Sequence, residues 1–172
     1  MAEASNRTKR LVGEIALLVC VTYVWGVRSP SVSKAGVKAR VLKHVVKADR
    51  DNVDAYRFLA DFHVKAGNHK EAAGALEQVV RLQPDDAASW AMLGDIQSAR
   101  GRHEDALGAY RQVARLHVFD AQAHYQLGDA YLRIGEIDLA LQEYEKLKEV
   151  DEHLANDLLD RIQDQTKRSK HR

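Results

Sequence analysis

HYQLGDAYLRIGEIDLALQEYEKL, residues 124–147, places Leu127, Gly128, Tyr131, Gly135, Ala140 and Tyr144 at helical spacings on either side of a glycine break. Sliding the window back until Leu127 falls on Leu93 also brings Gly128 onto Gly94, Gly135 onto Gly101, Ala140 onto Ala106 and Tyr144 onto Tyr110. A second step of the same size meets Leu59, Ala60, Gly67, Ala72 and Leu76. Asp61, Asp95 and Asp129 share one register, and Tyr56, Trp90 and His124 share another. Three copies without insertion or deletion mean one supersecondary unit stacked on itself. Each copy reads as two helices of about 14 residues, near the usual globular length. The breaks at Gly67-Asn68, Gly101-Arg102 and Gly135-Glu136 suit a tight helix end, because glycine accepts the positive φ that such an end requires. Small Ala72, Ala106 and Ala140 let neighbouring helices approach. Leu59, Leu93, Leu127, Leu76, Tyr110 and Tyr144 fill the space between them.

The pattern resembles the tetratricopeptide repeat family. Trp90-x-x-Leu93-Gly94, Leu127-Gly128-x-x-Tyr131, Ala106/Tyr110 and Ala140/Tyr144 carry the likeness, and Pro84 closes the first unit where the family places its proline. His63 and Gln97 replace the aromatic found at Tyr131, and Val118 and Glu152 stand where proline is expected. The units are 53–86, 87–120 and 121–154. The resemblance implies an all-α, right-handed α-solenoid of three helix hairpins with flanking cap helices. A half-repeat cap is expected over 34–52, with Ser33 as N-cap and Val37, Val41, Val45 and Ala48 on one face. A C-terminal cap helix is expected over 155–168, with Leu154, Leu158, Leu159 and Ile162 on its apolar face, and 169–172 as a frayed basic tail.

Preceding the array are a basic tail (1–10), an apolar run (11–27) and a linker (28–33). LVGEIALLVCVTYVWGV, 17 residues, is about 26 Å long as a helix, slightly less than a ~30 Å hydrocarbon core. Glu14 sits one turn from one end, and Tyr23 and Trp25 lie near the other, as interfacial anchors would. No small-residue cleavage site follows, so an uncleaved single-pass transmembrane anchor fits better than a signal peptide or a buried helix. Arg7, Lys9 and Arg10 before the run are nearly balanced by Arg28, Lys34, Lys38 and Arg40 after it, so charge does not orient it. Similarity to bacterial single-span proteins with this repeat implies an inner-membrane protein with the array on the periplasmic side.

Charge is segregated. Residues 1–52 hold 10 Lys/Arg and 4 Asp/Glu, whereas 53–164 hold 12 and 21. An acidic body argues against nucleic acid. Lys34, Lys38, Lys43 and Lys47 form a face in 34–47 that either contacts anionic lipid or is simply solvated. Cys20 is the single cysteine, which excludes an intramolecular disulfide and a cysteine zinc site. The eight histidines show no metal-binding motif, and neither a phosphate loop nor a catalytic constellation is present. No enzyme activity, cofactor or metal is expected.

By the resemblance, the first helix of each unit lines a concave partner groove. That assigns Asp54, Arg57, Asp61, Val64 and Lys65 from the first unit. The second contributes Ala88, Ala91, Asp95, Ser98 and Ala99, and the third Gln122, Tyr125, Asp129, Leu132 and Arg133. The small middle unit allows a partner peptide or helix to come close. The aspartate column favours basic residues on it, unless those carboxylates are solvated or bonded to a neighbouring helix. An acidic C-terminal tail is disfavoured, because the positions of the family's basic clamp carry Arg57, Asp61, Ala91 and Asp95. The expected function is a membrane-anchored protein–protein interaction scaffold or assembly factor. The alternative is a permanent accessory subunit of a larger membrane complex, with Thr22 and Gly26 packing in the bilayer.

Overall fold

The computed structural model describes residues 34–170, as eight α-helices with no strand among them. They are α1 (Lys34–Ala48), α2 (Val53–Lys65), α3 (His69–Leu82), α4 (Ala87–Ala99), α5 (His103–Leu116), α6 (Ala121–Ile134), α7 (Ile137–Val150) and α8 (Glu152–Lys170). The chain divides after Asp49 into two bodies, with α1 in the first and α2–α8 in the second. The expected basic tail, apolar run and linker, the Ser33 cap and the last two residues lie outside the described residues. Among those described, no helix is long and apolar enough to cross a membrane.

Capping residues explain where the helices start. Asn52 accepts from Ala55 N at 2.9 Å, Asp86 from Ser89 N at 3.3 Å, and Asp120 from Gln122 N at 2.9 Å. Each satisfies a backbone donor that the first turn leaves orphaned. One such cap opens each repeat, at the same register. The hairpin turns are equally regular: Gly67, Gly101 and Gly135 have φ of 71°, 76° and 88°. Behind each, the next N–H reaches back to a carbonyl (Asn68 to His63, Arg102 to Gln97, Glu136 to Tyr131) at 2.8–2.9 Å. That long return bond closes the first helix and launches the second without a side-chain cap.

In the second body, α2 packs on α3, α4 on α5 and α6 on α7, and each hairpin packs on the next through α3–α4 and α5–α6. Ala72, Ala106 and Ala140 are fully or almost fully buried, as are Leu76 and Leu147. Gly94 and Gly128 mark the closest approaches. A Cβ at Gly94 would stand 2.6 Å from the Tyr110 ring, and one at Gly128 2.5 Å from Leu158 Cδ2. Polar links cross between hairpins at one register. Gln97 donates to Glu77 at 3.4 Å, and at the same place in the next repeat Arg111 donates to the Tyr131 hydroxyl at 3.1 Å.

The C-terminal cap differs from its expected 155–168 span. It begins at Glu152 and continues to Lys170, so the third unit ends at α7 and not at residue 154. The cause is local: Asp151 Oδ1 accepts from His153 N and Leu154 N at 3.0 and 3.1 Å. This starts a helix one residue after α7 stops, where earlier units use a four-residue turn. The register therefore breaks by three residues at the end of the array. The expected frayed tail is partly helical, since Ser169 and Lys170 belong to α8. At the other end, α1 covers 34–48 of the 34–52 cap segment.

Candidate functional site

Between α2 and α4 the first helices leave an open groove of about 490 Å³, lined by Arg57, Phe58, Ala60, Asp61, Leu76, Asp86, Ala88, Ser89 and Met92. Phe58 is 57% exposed and Met92 40% exposed, and they occupy equivalent positions in successive repeats. Beside these two apolar side chains the lining is mixed: small Ala60, Ala88 and Ser89, apolar Leu76, and Asp61, Asp86 and Arg57. The third unit carries Gln126 at that register.

The expected groove residues divide into three groups. Asp54, Asp61, Lys65, Ala88, Asp95, Ala99, Gln122 and Arg133 are exposed, and so is Arg57. Val64, Ala91 and Ser98 are half-buried. In the third unit, α8 lies along α6 and takes up the positions that a partner would need. The Tyr125 hydroxyl donates to Asp157 and accepts from Arg161 Nη1 at 2.9 Å; Asp129 pairs with Arg161; Gln165 donates to the Leu132 carbonyl at 2.9 Å. Leu132 is 4% exposed and packs with Leu158 and Ile162, so it belongs to the core and not to the groove lining.

Charged groups on this face are mostly partnered. Arg57 donates to Asp86 Oδ2 and Gln83 Oε1, both at 2.7 Å, which ties α2 to the start of α4. Burial alone would raise the Asp86 carboxyl, but bonds from Ser89 and Arg57 outweigh it and hold the group below its ordinary range. Asp61 pairs with Lys65 at 2.7 Å. Asp95 accepts from the Tyr110 hydroxyl at 2.7 Å, and burial together with that carboxylate pushes the phenol well above its usual value. Asp129 also accepts from Arg133 at 2.9 Å. Asp95 and Asp129 are therefore tied to neighbouring helices, while Asp61 pairs only along its own helix, and Asp61 and Asp95 stay at the surface. Among the described residues, no three His, Cys, Asp or Glu side chains stand close enough to hold a metal ion.

Sequence reasoning missed Phe58 and Met92. Their signal was present as an apolar pair at the repeat spacing, beside positions already assigned to the groove.

Two family models described as "Tetratricopeptide repeat" match residues 39–96 and 91–152, together spanning 39–152. Among solved structures, a crystal structure of MamA aligns with a TM-score of 0.60 at 21% identity, covering 82% of this chain and 99% of that one. A second MamA structure aligns at 0.59 and 26% identity, covering 77% of each. YrrB, described as a TPR protein with an unusual peptide-binding site, aligns at 0.61 and 20% identity, covering 79% of this chain and 80% of that one. No curated protein matches the chain.

Proposed function

The chain belongs to the tetratricopeptide repeat family, and on that premise we propose that it is a membrane-tethered interaction scaffold that docks a partner segment in the groove between α2 and α4. The observation that carries this reading is the exposure of Phe58 and Met92 at one register of an open groove. YrrB's peptide-binding site lends the same fold a precedent for peptide capture. The occupant is a peptide or a single helix. Its apolar side chain sits on Phe58 and Met92, and its Lys or Arg faces Asp61 and Asp95. The partner leaves the third unit to α8.

The double substitution Phe58→Glu with Met92→Glu tests the groove. Both side chains are exposed, so the melting temperature should stay within about 3 °C of wild type, while recovery of the co-purifying partner falls at least tenfold. Partner recovery that is indifferent to both changes would remove this groove from the account.

The tether rests on the apolar run at 11–27. An inner-membrane location with a periplasmic array completes the proposal, and it rests on resemblance to single-span repeat proteins. Alkaline carbonate extraction should leave the full chain in the membrane pellet and release a chain beginning at Lys34. Release of both would remove the tether from the account, and retention of both would place it elsewhere. Anchoring concentrates the groove beside membrane-bound partners without any new contact.

A further inference from the structure

A second cleft opens between the second helices of the hairpins, remote in register from Phe58 and Met92. It lies among α5, α6 and α7 and encloses about 600 Å³. Ala114 and Leu127 contribute apolar lining. Val118, Phe119 and Val150 are exposed around it, Phe119 to 85%. Arg111, Arg115 and Lys146 also line it.

Four other arginines of the array, Arg57, Arg102, Arg133 and Arg161, pair with aspartates, whereas Arg81 donates to Gln78 as Arg115 does to Gln112. Arg111 instead donates through Nε to the Tyr131 hydroxyl at 3.1 Å, with its guanidinium 5.3 Å above that ring. Arg115 donates through Nε to Gln112 at 3.0 Å. Both side chains are held by neutral groups, and neither reaches a carboxylate among the described residues. Like charges one turn apart on a helix repel, so this pair is costly until an anion arrives.

The repeat supplies its own comparison. One unit earlier, an overlapping cleft of about 390 Å³ includes Glu77, Glu104 and the Arg102–Asp105 pair in its lining. Moving forward by one repeat changes Glu77 to Arg111, Asp85 to Phe119 and Gln112 to Lys146, and on the facing helix Ala109 to Glu143 and Arg115 to Glu149. The α5 wall thus replaces an acid by Arg111 beside Arg115 and the lip gains an aromatic ring, while the facing α7 wall gains Glu143 and Glu149 and pairs Lys146 with Glu143.

We propose that the cleft between α5, α6 and α7 binds an extended acidic segment of a partner protein, in which carboxylates alternate with apolar side chains. Arg111 and Arg115 stand one helical turn apart, about 6 Å along the axis. Alternate residues of an extended strand stand about 6.6 Å apart on one side. Two carboxylates with one residue between them therefore match the two guanidiniums, and charge-assisted bonds to arginine are the strong ones. The intervening apolar residue turns to the opposite wall, where Val150 is exposed. That wall also carries Glu149. A flat anionic membrane would meet Glu149 together with the arginines, whereas a peptide presents acid to one wall only. This favours a peptide over a lipid surface.

The test uses the full-length chain in an uncharged detergent, with a dye-labelled, end-blocked peptide of alternating Glu and Leu as probe. Fluorescence anisotropy should show saturable binding that weakens at least tenfold in Arg111→Glu with Arg115→Glu, and likewise in Phe119→Asp. Arg81→Glu, at the equivalent register one unit earlier, should change it less than twofold. So should Phe58→Glu with Met92→Glu, which separates this site from the α2–α4 groove. Circular dichroism of each variant excludes loss of the fold. No binding at millimolar protein, or binding indifferent to the Arg111 and Arg115 reversals, overturns the proposal. Phosphatidylglycerol vesicles that bind through Phe119 while the peptide does not would also overturn it, in favour of a lipid surface.

Discussion

Leu158→Ala is expected to lower the unfolding free energy by about 3 kcal/mol, within the range of roughly 2–5 for a fully buried leucine. Leu158 is 0% exposed, and its Cδ2 fills the space that Gly128 leaves by having no side chain. Removing its branched end opens a cavity between α6 and α8 that a helix backbone cannot collapse to fill. Thermal unfolding followed by circular dichroism should show a midpoint lower by roughly 10 °C. Because the two positions touch, Gly128→Ala on the Leu158→Ala background should recover part of the loss, whereas alone it should destabilise by pressing on Leu158. A loss below about 1 kcal/mol would mean that α8 is not a sealing element. The functional corollary concerns Tyr125, Asp129 and Leu132, which α8 occupies. Loosening α8 would extend the first-helix groove into the third unit.

His124→Leu should cost a similar amount, about 3 kcal/mol, because it leaves a buried carboxylate without its main partner. His124 Nδ1 lies 2.7 Å from Glu143 Oε2, and both residues are at most 5% exposed. Nε2 lies 2.8 Å from the Val118 carbonyl, which can only accept, so that nitrogen carries the proton it donates. Lys146 still reaches Glu143 Oε1 at 2.8 Å, but from a half-exposed position. The repeat suggests the repair. At the same registers the second unit has Trp90, whose indole N–H donates to the Pro84 carbonyl at 2.9 Å, and Ala109 in place of the glutamate. The exchange His124→Trp with Glu143→Ala installs that pair in the third unit, and urea unfolding should place it within about 1 kcal/mol of wild type, since replacing both partners of a buried hydrogen bond by well-packed groups can be nearly neutral, unlike removing one partner. If His124→Leu is as stable as wild type, the pair contributes nothing to the third unit.

Two surfaces of opposite character therefore lie on one array. The groove between α2 and α4 joins exposed Phe58 and Met92 to acid. The cleft among α5, α6 and α7 joins exposed Phe119 to base. The two proposed surfaces are separable, because each has its own pair of substitutions.

Much of this fold was readable before any coordinates. A fixed period carrying Gly67, Gly101 and Gly135 can be satisfied only by hinged helix pairs, because the positive φ at those glycines is a property of the single residue. Alanines at 72, 106 and 140 must be buried for the same local reason: they recur on the face where the larger side chains converge. The N-caps Asn52, Asp86 and Asp120 recur at the same period and were equally legible. The exposure of Phe58 and Met92 was less legible. An apolar residue on a helix normally points inward, and only the gap between α2 and α4 leaves these two at the surface.

The sequence by itself determined the units, their hinges and their small contact residues, since each follows from dihedral preference and periodicity within a few turns of chain. Tertiary packing alone decided which first-helix positions remain available to a partner. Asp151 starts α8 ahead of register, and α8 then covers Tyr125, Asp129 and Leu132. Nothing in the period announces that outcome. It arises because the last hairpin has no successor and must bury its exposed face against whatever helix the chain supplies next.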